Sequence, residues 1–324
     1  MTATLPPQAP VQLGHDESAP VSSGQALLGG VELGGTKCVC LLGTGPEDIR
    51  AQRTLPTGHD PRATLAAIAA TFAAWRGQHG PMAALGIASF GPLELSPGAA
   101  HYGYITTTPK SGWADTDVAG ALGRALQVPV GFDTDVNGAA RAEARWGAAR
   151  GLEDLAYITV GTGIGVGLML AGRPVLGFTH GELGHIRVAR VPGDAWQGAC
   201  PFHGDCLEGL ASGTAIEQRT GAPAAMLAAD ASEWALVTHA LAQLLHVLVL
   251  ATAPRRILMG GSVMLGQPHL FPRLRSELQR SLNHYVRAPQ LAEDIAQYVV
   301  PPGLAALAGP LGALAVAADV RARD

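Results

Sequence analysis

The chain has 324 residues, 48% of them hydrophobic and 15% charged, with a formal net charge of −4. That charge content lies below the roughly 25% usual for soluble domains, and no Lys/Arg cluster forms a stripe that could track phosphates, so a nucleic-acid partner is excluded. Four cysteines make no secreted disulfide framework, and no Lys, Arg or apolar leader core precedes Lys37, which leaves the cytoplasm as the expected compartment.

Residues 1–26 carry Pro6, Pro7, Pro10 and Pro20 among Gly, Ser and Gln with no aromatic residue, and are expected to be a disordered tail. From Ala26, LLGGVELGGTKCVCLLG gives two short β-prone runs around a Gly-Gly-Thr turn, a hairpin signal. An Ala-rich helix follows near Arg62–Trp75, then a strand at Ala84–Ser89, a helix near Val118–Leu126 and a strand at Val128–Phe132. A second β-Gly-β unit spans Ala156–Gly172, about half a chain after the first. The apolar segment Trp234–Pro254 is interrupted by His239, Gln243 and His246 on one side of a helix, and reads as a core helix, not a membrane span. RRILMGGSVM is a strand ending at Gly260-Gly261 before a helix, and a last small-residue helix begins near Gly309. Two such units, each with its hairpin, predict a duplicated α/β fold. We place an N-terminal domain at 27–148, joined by the helix 309–322, and a C-terminal domain at 149–308.

Between Gly184 and Leu207, the sequence sets His185, Cys200, His203 and Cys206 at spacings that suit one tetrahedral zinc. A Cys2His2 set is closed, so the metal is structural. Glu182 and Glu208 flank it, which makes the loop a candidate wall for a polar pocket.

Gly34, Gly35, Thr36 and Lys37 in the first hairpin, and Thr162 and Gly163 within GTGIG of the second, suit phosphate binding, because backbone N–H groups without Cβ neighbours can approach an anion. A ligand-free tight turn explains either stretch equally well. The dinucleotide fingerprint fails, since Val166 or Leu168 stands where its last glycine belongs, and a P-loop fails because Lys37 follows Gly-Gly-Thr inside a strand. VPVGFDTDVNG runs from strand into helix, with Asp133, Asp135 and Asn137 at a junction where α/β proteins place ligands. Asp135 is either a general base or, as Asp more often is at such a position, a helix N-cap.

Together the motifs ExGGTK (Glu32–Lys37), SFGP (Ser89–Pro92), TDVN (Thr134–Asn137), ITVGTGIGVG (Ile158–Gly167), GELGH (Gly181–His185), the Cys/His loop, CLEGLASG (Cys206–Gly213) and MGGSVM resemble the ROK sugar kinases. CPFHGDC and TTTPKSGW are similar to that family's bacterial fructokinase branch. The resemblance implies an actin/hexokinase-like, ribonuclease H-like two-domain fold with a central cleft, and a kinase that phosphorylates fructose at its 6-hydroxyl. It implies Asp135 as base and Gly91, Thr134, Asn137, Glu182, His185 and Glu208 around the sugar, with His185 serving metal and sugar through different ring nitrogens. By the same likeness Gly34–Lys37, Thr162 and Gly163 hold phosphates, Gly260 and Gly261 lie against adenosine, ATP brings Mg2+, and the chain forms a homodimer. Glu32 departs from the Asp of many relatives, and Thr134 from their Asn. A glucokinase or other hexose or N-acetylhexosamine kinase is the runner-up; a sugar-sensing non-catalytic protein is less favoured, because no DNA-binding module is encoded before the first hairpin.

Overall fold

The structure is a computed structural model that describes residues 26–322; the expected disordered tail therefore lies outside the described residues, apart from Ala26. In chain order the first half contains β1 (Leu28–Leu33), β2 (Lys37–Gly45), β3 (Asp48–Pro56), α1 (Pro61–His79), β4 (Ala84–Ser89), the short β5 (Tyr104–Ile105) and β6 (Thr116–Asp117), α2 (Ala119–Leu126), β7 (Val130–Thr134) and α3 (Asp135–Trp146). The second half contains β8 (Leu155–Val160), β9 (Ile164–Leu170), β10 (Arg173–Pro174), α4 (Leu207–Ala211), α5 (Gly213–Thr220), α6 (Glu233–Thr252), β11 (Arg256–Gly260), α7 (Gly261–Gly266), α8 (Leu270–Leu282), α9 (Pro289–Ala292), α10 (Ile295–Tyr298) and β12 (Val299–Val300), before α11 (Ala308–Arg321).

The duplication read from the two glycine hairpins is present in the sheets. One five-stranded sheet runs β3-β2-β1-β4-β7 and the other β10-β9-β8-β11-β12. In each, a strand pairs antiparallel with the strand that follows it in sequence and parallel with a later one: β1 with β2 and β4, β8 with β9 and β11. The edge strands β3, β10 and β12 and the small β5–β6 pair were not expected from sequence. They are polar or only two residues long, so neither alternation nor an apolar run announces them. The strand expected at Val128–Phe132 runs two residues later, because Gln127 caps α2 in the left-handed conformation and the chain turns there.

Local signals set the helix ends. Asp60 caps α1 by accepting from the N–H groups of Arg62 and Ala63, Pro61 occupies the first turn, and Gly80 ends the helix at φ 87°. α6 is long and apolar enough by composition to cross a membrane, with half of that stretch buried in the protein. It is a core helix: Trp234, Leu241, Leu244 and Leu245 are fully buried, in one cluster with Ile158 of β8 and Leu274 of α8. Its polar groups are tied down, Gln243 by Ala189 and His246 by Ser281.

α11 returns to pack on α3, β4 and β1 of the first half. The contact is close enough that a Cβ at Gly86 would lie 2.0 Å from the Ala313 carbonyl oxygen, and one at Gly312 would lie 2.4 Å from the backbone of Gly138. Asp133 and Asp319 share Arg141, which ties β7, α3 and α11 together.

The chain passes between the halves at 147–154 and again at 301–307. One buried carboxylate serves both crossings. Glu143 of α3 is fully buried; its Oε2 accepts from the N–H of Ala148 at 2.7 Å and of Gly303 at 3.0 Å, and its Oε1 from the N–H of Leu304 at 2.9 Å. Arg256 also donates to the Ala148 carbonyl. Replacing Glu143 by Ala leaves three inward N–H groups without an acceptor, and should lower unfolding free energy by on the order of 3–5 kcal/mol in urea titration. Glu143→Gln, which keeps one carbonyl acceptor, should lose less than Glu143→Ala.

Candidate active site and metal centre

Asp135 opens α3 where β7 ends. The capping task falls to its neighbour: Thr134 is the N-cap, its Oγ1 accepting from the N–H of Asn137 at 3.1 Å. The N-cap reading of Asp135 is therefore corrected, because the strand stays extended through Thr134 and places Asp135 one position inside the helix. Asp135 is half-buried and its Oδ1 accepts from the N–H of Val136 at 2.9 Å. Burial pushes its carboxyl up from the ordinary 3.8 to about 6, against the lowering effect of the backbone N–H groups.

Three other carboxylates surround it. Glu32, from β1, is pushed up to about 7 by burial and by Asp135, with Lys37 pulling the other way. Glu182 is also pushed up to about 7, by burial, Asp135 and Glu208. Glu208, at the start of α4, accepts from the N–H of Ile164 through Oε2 at 2.9 Å, and a Cβ at Gly163 would meet that oxygen at 2.5 Å. Gly163 thus has a packing reason to be glycine, beside the anion approach expected of it from sequence. Acids from β1, α3, α4 and the Gly181–His185 loop converge on one spot, and a neutral, hydroxyl-rich ligand is what such a cluster can bind while spreading its charge over hydrogen bonds.

The first hairpin turns through Gly34–Lys37, with the Gly34 N–H donating to the Lys37 carbonyl, and Gly35, Thr36 and Lys37 exposed. Thr57, just beyond β3, braces it by donating its hydroxyl to the Gly34 carbonyl. The second hairpin exposes Thr162, whose carbonyl accepts from the Thr214 hydroxyl at 2.9 Å. Gly260-Gly261 lies beside it: Gly261 has φ 84°, a Cβ there would sit 2.4 Å from the Val160 carbonyl oxygen, and a Cβ at Gly161 would be 3.6 Å from Ser262 Oγ. The second hairpin and the Gly260–Gly261 turn are therefore neighbours, as one nucleotide would require.

His185, Cys200, His203 and Cys206 bring their ligand atoms within 4.8 Å of one another. Nδ1 of His185 lies 3.3 Å from Nδ1 of His203, 3.6 Å from Cys200 Sγ and 3.5 Å from Cys206 Sγ, and Cys200 Sγ lies 3.7 Å from His203 Nδ1. Tetrahedral bonds of about 2.0–2.1 Å to nitrogen and 2.3 Å to sulfur put ligand atoms roughly 3.3–3.8 Å apart, so the four fit a closed metal site. The loop is folded for it: Cys200 and Gly204 exchange backbone hydrogen bonds, and Asp194 and Asp205 anchor Arg187, Arg190 and Arg219 around it. Nε2 of His185 is the nitrogen left facing away from this set, 3.9 Å from Glu208 Oε1.

The remaining sequence candidates are placed differently. Asn137 is buried with its amide donating to Asp133 Oδ1 at 2.7 Å, and Thr134 uses its hydroxyl in the cap, so both have polar groups engaged inside the protein. Asn137 and Arg141 line a cavity of about 590 Å³ between Tyr102 and Leu176, whose walls include none of Asp135, Glu182 and Glu208. Gly91 lies against His180, a residue sequence reasoning did not select; a single His in a glycine-rich loop carries no spacing signal.

Most of the chain can be matched to known proteins. A sequence model described as "ROK family" covers residues 28–320. A fructokinase from Pediococcus pentosaceus is 40% identical over 291 residues, covering 90% of this chain and 97% of that protein. A fructokinase from Zymomonas mobilis subsp. mobilis is 39% identical over 295 residues, covering 90% of this chain and 96% of that protein. Among solved structures, the ROK hexokinase from Thermus thermophilus superposes with a TM-score of 0.75 at 28% identity, covering 92% of this chain and all of that one. With the duplicated sheets, the paired glycine hairpins and the carboxylate cluster in place, this chain belongs to the ROK family.

Proposed function

We propose that the protein is an ATP-dependent fructokinase. In this reading Asp135 accepts the proton of the fructose 6-hydroxyl as that oxygen bonds to the γ-phosphorus of ATP and the bond to the ADP oxygen breaks. The observation that carries the chemistry is Asp135 itself, a half-buried carboxyl that the cap does not use and whose proton affinity is raised by burial. Support for the sugar is the 39–40% identity with fructokinases along nearly the whole chain.

Glu182, Glu208 and Nε2 of His185 would orient the sugar hydroxyls, with Gly91 allowing the loop before Leu93 to approach. The turn that Gly34 closes would present the N–H groups of Gly35 and Thr36, with the Lys37 ammonium, to phosphates from one side, and Thr162 and Gly163 would hold them from the other, while Gly260 and Gly261 leave room for adenosine. Mg2+ bound with ATP would supply neutralisation of phosphate charge, and Glu32, which feels the charges of both Asp135 and Lys37, is the acid that would face it with Asp135. Zinc, held by His185, Cys200, His203 and Cys206, would be structural and would fix the segment that carries Glu182 and Glu208. The halves would act as domains that close over the cleft and exclude water, which otherwise competes for the phosphoryl group.

Asp135→Asn should abolish fructose-dependent ADP release while calorimetry still detects fructose binding; turnover near that of the wild type would remove Asp135 from the mechanism. In a panel of fructose, glucose, mannose and N-acetylhexosamines, fructose should give the highest kcat/KM, and a preference for glucose would reassign the substrate. Elemental analysis of purified protein should find one zinc per chain, lost on Cys200→Ser.

The raised carboxyl of Asp135 also fixes a pH dependence. A base must be ionised, so kcat/KM should fall as pH drops through about 6. For stability the sign is opposite: the folded state holds the proton more tightly than the unfolded chain, so ionisation costs stability above about 6 and nothing below 3.8. Asp135→Asn should therefore raise the melting temperature at pH 8, with the gain shrinking toward pH 4; a gain independent of pH would contradict this.

A further inference from the structure

His180 stands outside the family motifs, yet its ring occupies the gap between the first-half loop after β4 and the second-half loop that carries Glu182. It is 5% exposed. The N–H of Leu93 donates to Nε2 at 2.9 Å, and Nδ1 lies 3.5 Å from Glu182 Oε1. A Cβ at Gly91 would sit 3.4–3.5 Å from the ring, so the Gly91–Leu93 backbone lies flat against it. On the other side, pairing of Leu176 with His180 presents the ring from the turn after β10.

These contacts assign the tautomer. Nε2 accepts from a backbone N–H, so it is unprotonated in the neutral ring and the proton sits on Nδ1, the nitrogen nearest Glu182. Burial lowers the proton affinity of His180, opposed by the Gly181 carbonyl and by Asp133, which keeps the ring in that neutral form. Glu182 is by contrast nearly half exposed, with a side chain that solvent alone would leave free to rotate.

We infer that His180 is a positioning residue of the sugar site: its ring joins the Glu182 carboxylate of one half to the Leu93 backbone of the other, so both walls of the pocket are set together. This rests on the kinase reading above. The loop after β4 and the Gly181–His185 loop belong to different sheets, and among the described residues His180 is the side chain hydrogen-bonded to Leu93 N–H and in contact with Glu182. Without it Glu182 would lose its orientation and the Leu93 N–H its acceptor, which should show in sugar affinity before it shows in nucleotide affinity.

Two isosteres separate the two contacts. His180→Asn keeps a donor at the place of Nδ1 and cannot reach Leu93; His180→Gln keeps an acceptor near the place of Nε2 and lacks the donor toward Glu182. In steady-state assays His180→Gln should raise the KM for fructose about tenfold, with the KM for ATP unchanged within about twofold, and His180→Asn should recover most of that loss. Equal rises in both KM values, a fructose KM within about twofold of wild type, or His180→Asn no better than His180→Gln would each overturn the role. Should His180→Asn fail to fold, calorimetric fructose binding decides: His180→Gln should weaken binding in the wild-type background and change it less than about twofold beside Glu182→Gln. Equal weakening in both backgrounds overturns the role. A wild-type protein that does not phosphorylate fructose overturns the substrate reading and this role with it, whereas an active wild type beside an unaltered His180→Gln overturns the role alone.

Discussion

A single carboxylate holds the two crossings between the halves. Glu143 receives N–H groups from Ala148 on the first crossing and from Gly303 and Leu304 on the second, so the two strands of chain behave as one joint. The joint is tight enough that a Cβ at Gly303 would lie 2.6 Å from the Ala148 nitrogen. Everything placed in the cleft depends on it. α3 ends at this joint and begins at Asp135, and β8 leaves the joint toward the second hairpin, so Asp135 and that hairpin lie at the far ends of two elements that meet at the Glu143 joint.

The cleft itself is a region of deliberate electrostatic cost. Glu32, Asp135 and Glu182 each have their proton affinity raised by burial, and the charge of Asp135 raises that of Glu32 and Glu182 further. A cluster like this is destabilising in the empty protein and is compensated by apolar packing elsewhere, above all by α6 and α11. α11 lies in contact with β1, β4 and α3 because Gly86, Gly138 and Gly312 remove the side chains that would hold it away. Gly309 extends the same logic to the site, since a Cβ there would sit 1.9 Å from a Glu32 oxygen.

Much of this was legible before any coordinates. Two glycine hairpins half a chain apart are enough to suggest duplication, and the ligand spacing of the Cys/His loop is enough to suggest a metal, because both signals depend on residues adjacent in sequence. What was not legible depends on partners far along the chain. Glu143 in ARAEARWG looks like an ordinary solvated helix charge, and only Gly303 and Leu304, which fold back onto it, make it buried. Asp135 had two readings because capping depends on the last extended residue of β7, one position that sequence periodicity cannot resolve. Asn137, chosen for its motif, donates its amide to Asp133 at the end of β7, a pairing across the strand–helix junction that the motif does not announce.

The segment from His180 to Glu208 then acquires a physical reason for its composition. In its middle four side chains that could hold a metal converge, its flank is held by the arginines on Asp194 and Asp205, its end by Glu208 on the Ile164 N–H and its start by His180 on the Leu93 N–H. Such a segment has little regular structure of its own and few buried apolar residues, so the hydrophobic effect alone does little to fix it. Directional bonds do so instead. Three of these anchors stay within the second half; the one at His180 reaches the first. Any motion of one half against the other about the Glu143 joint would therefore have to carry His180 with the Gly91–Leu93 loop or break that bond.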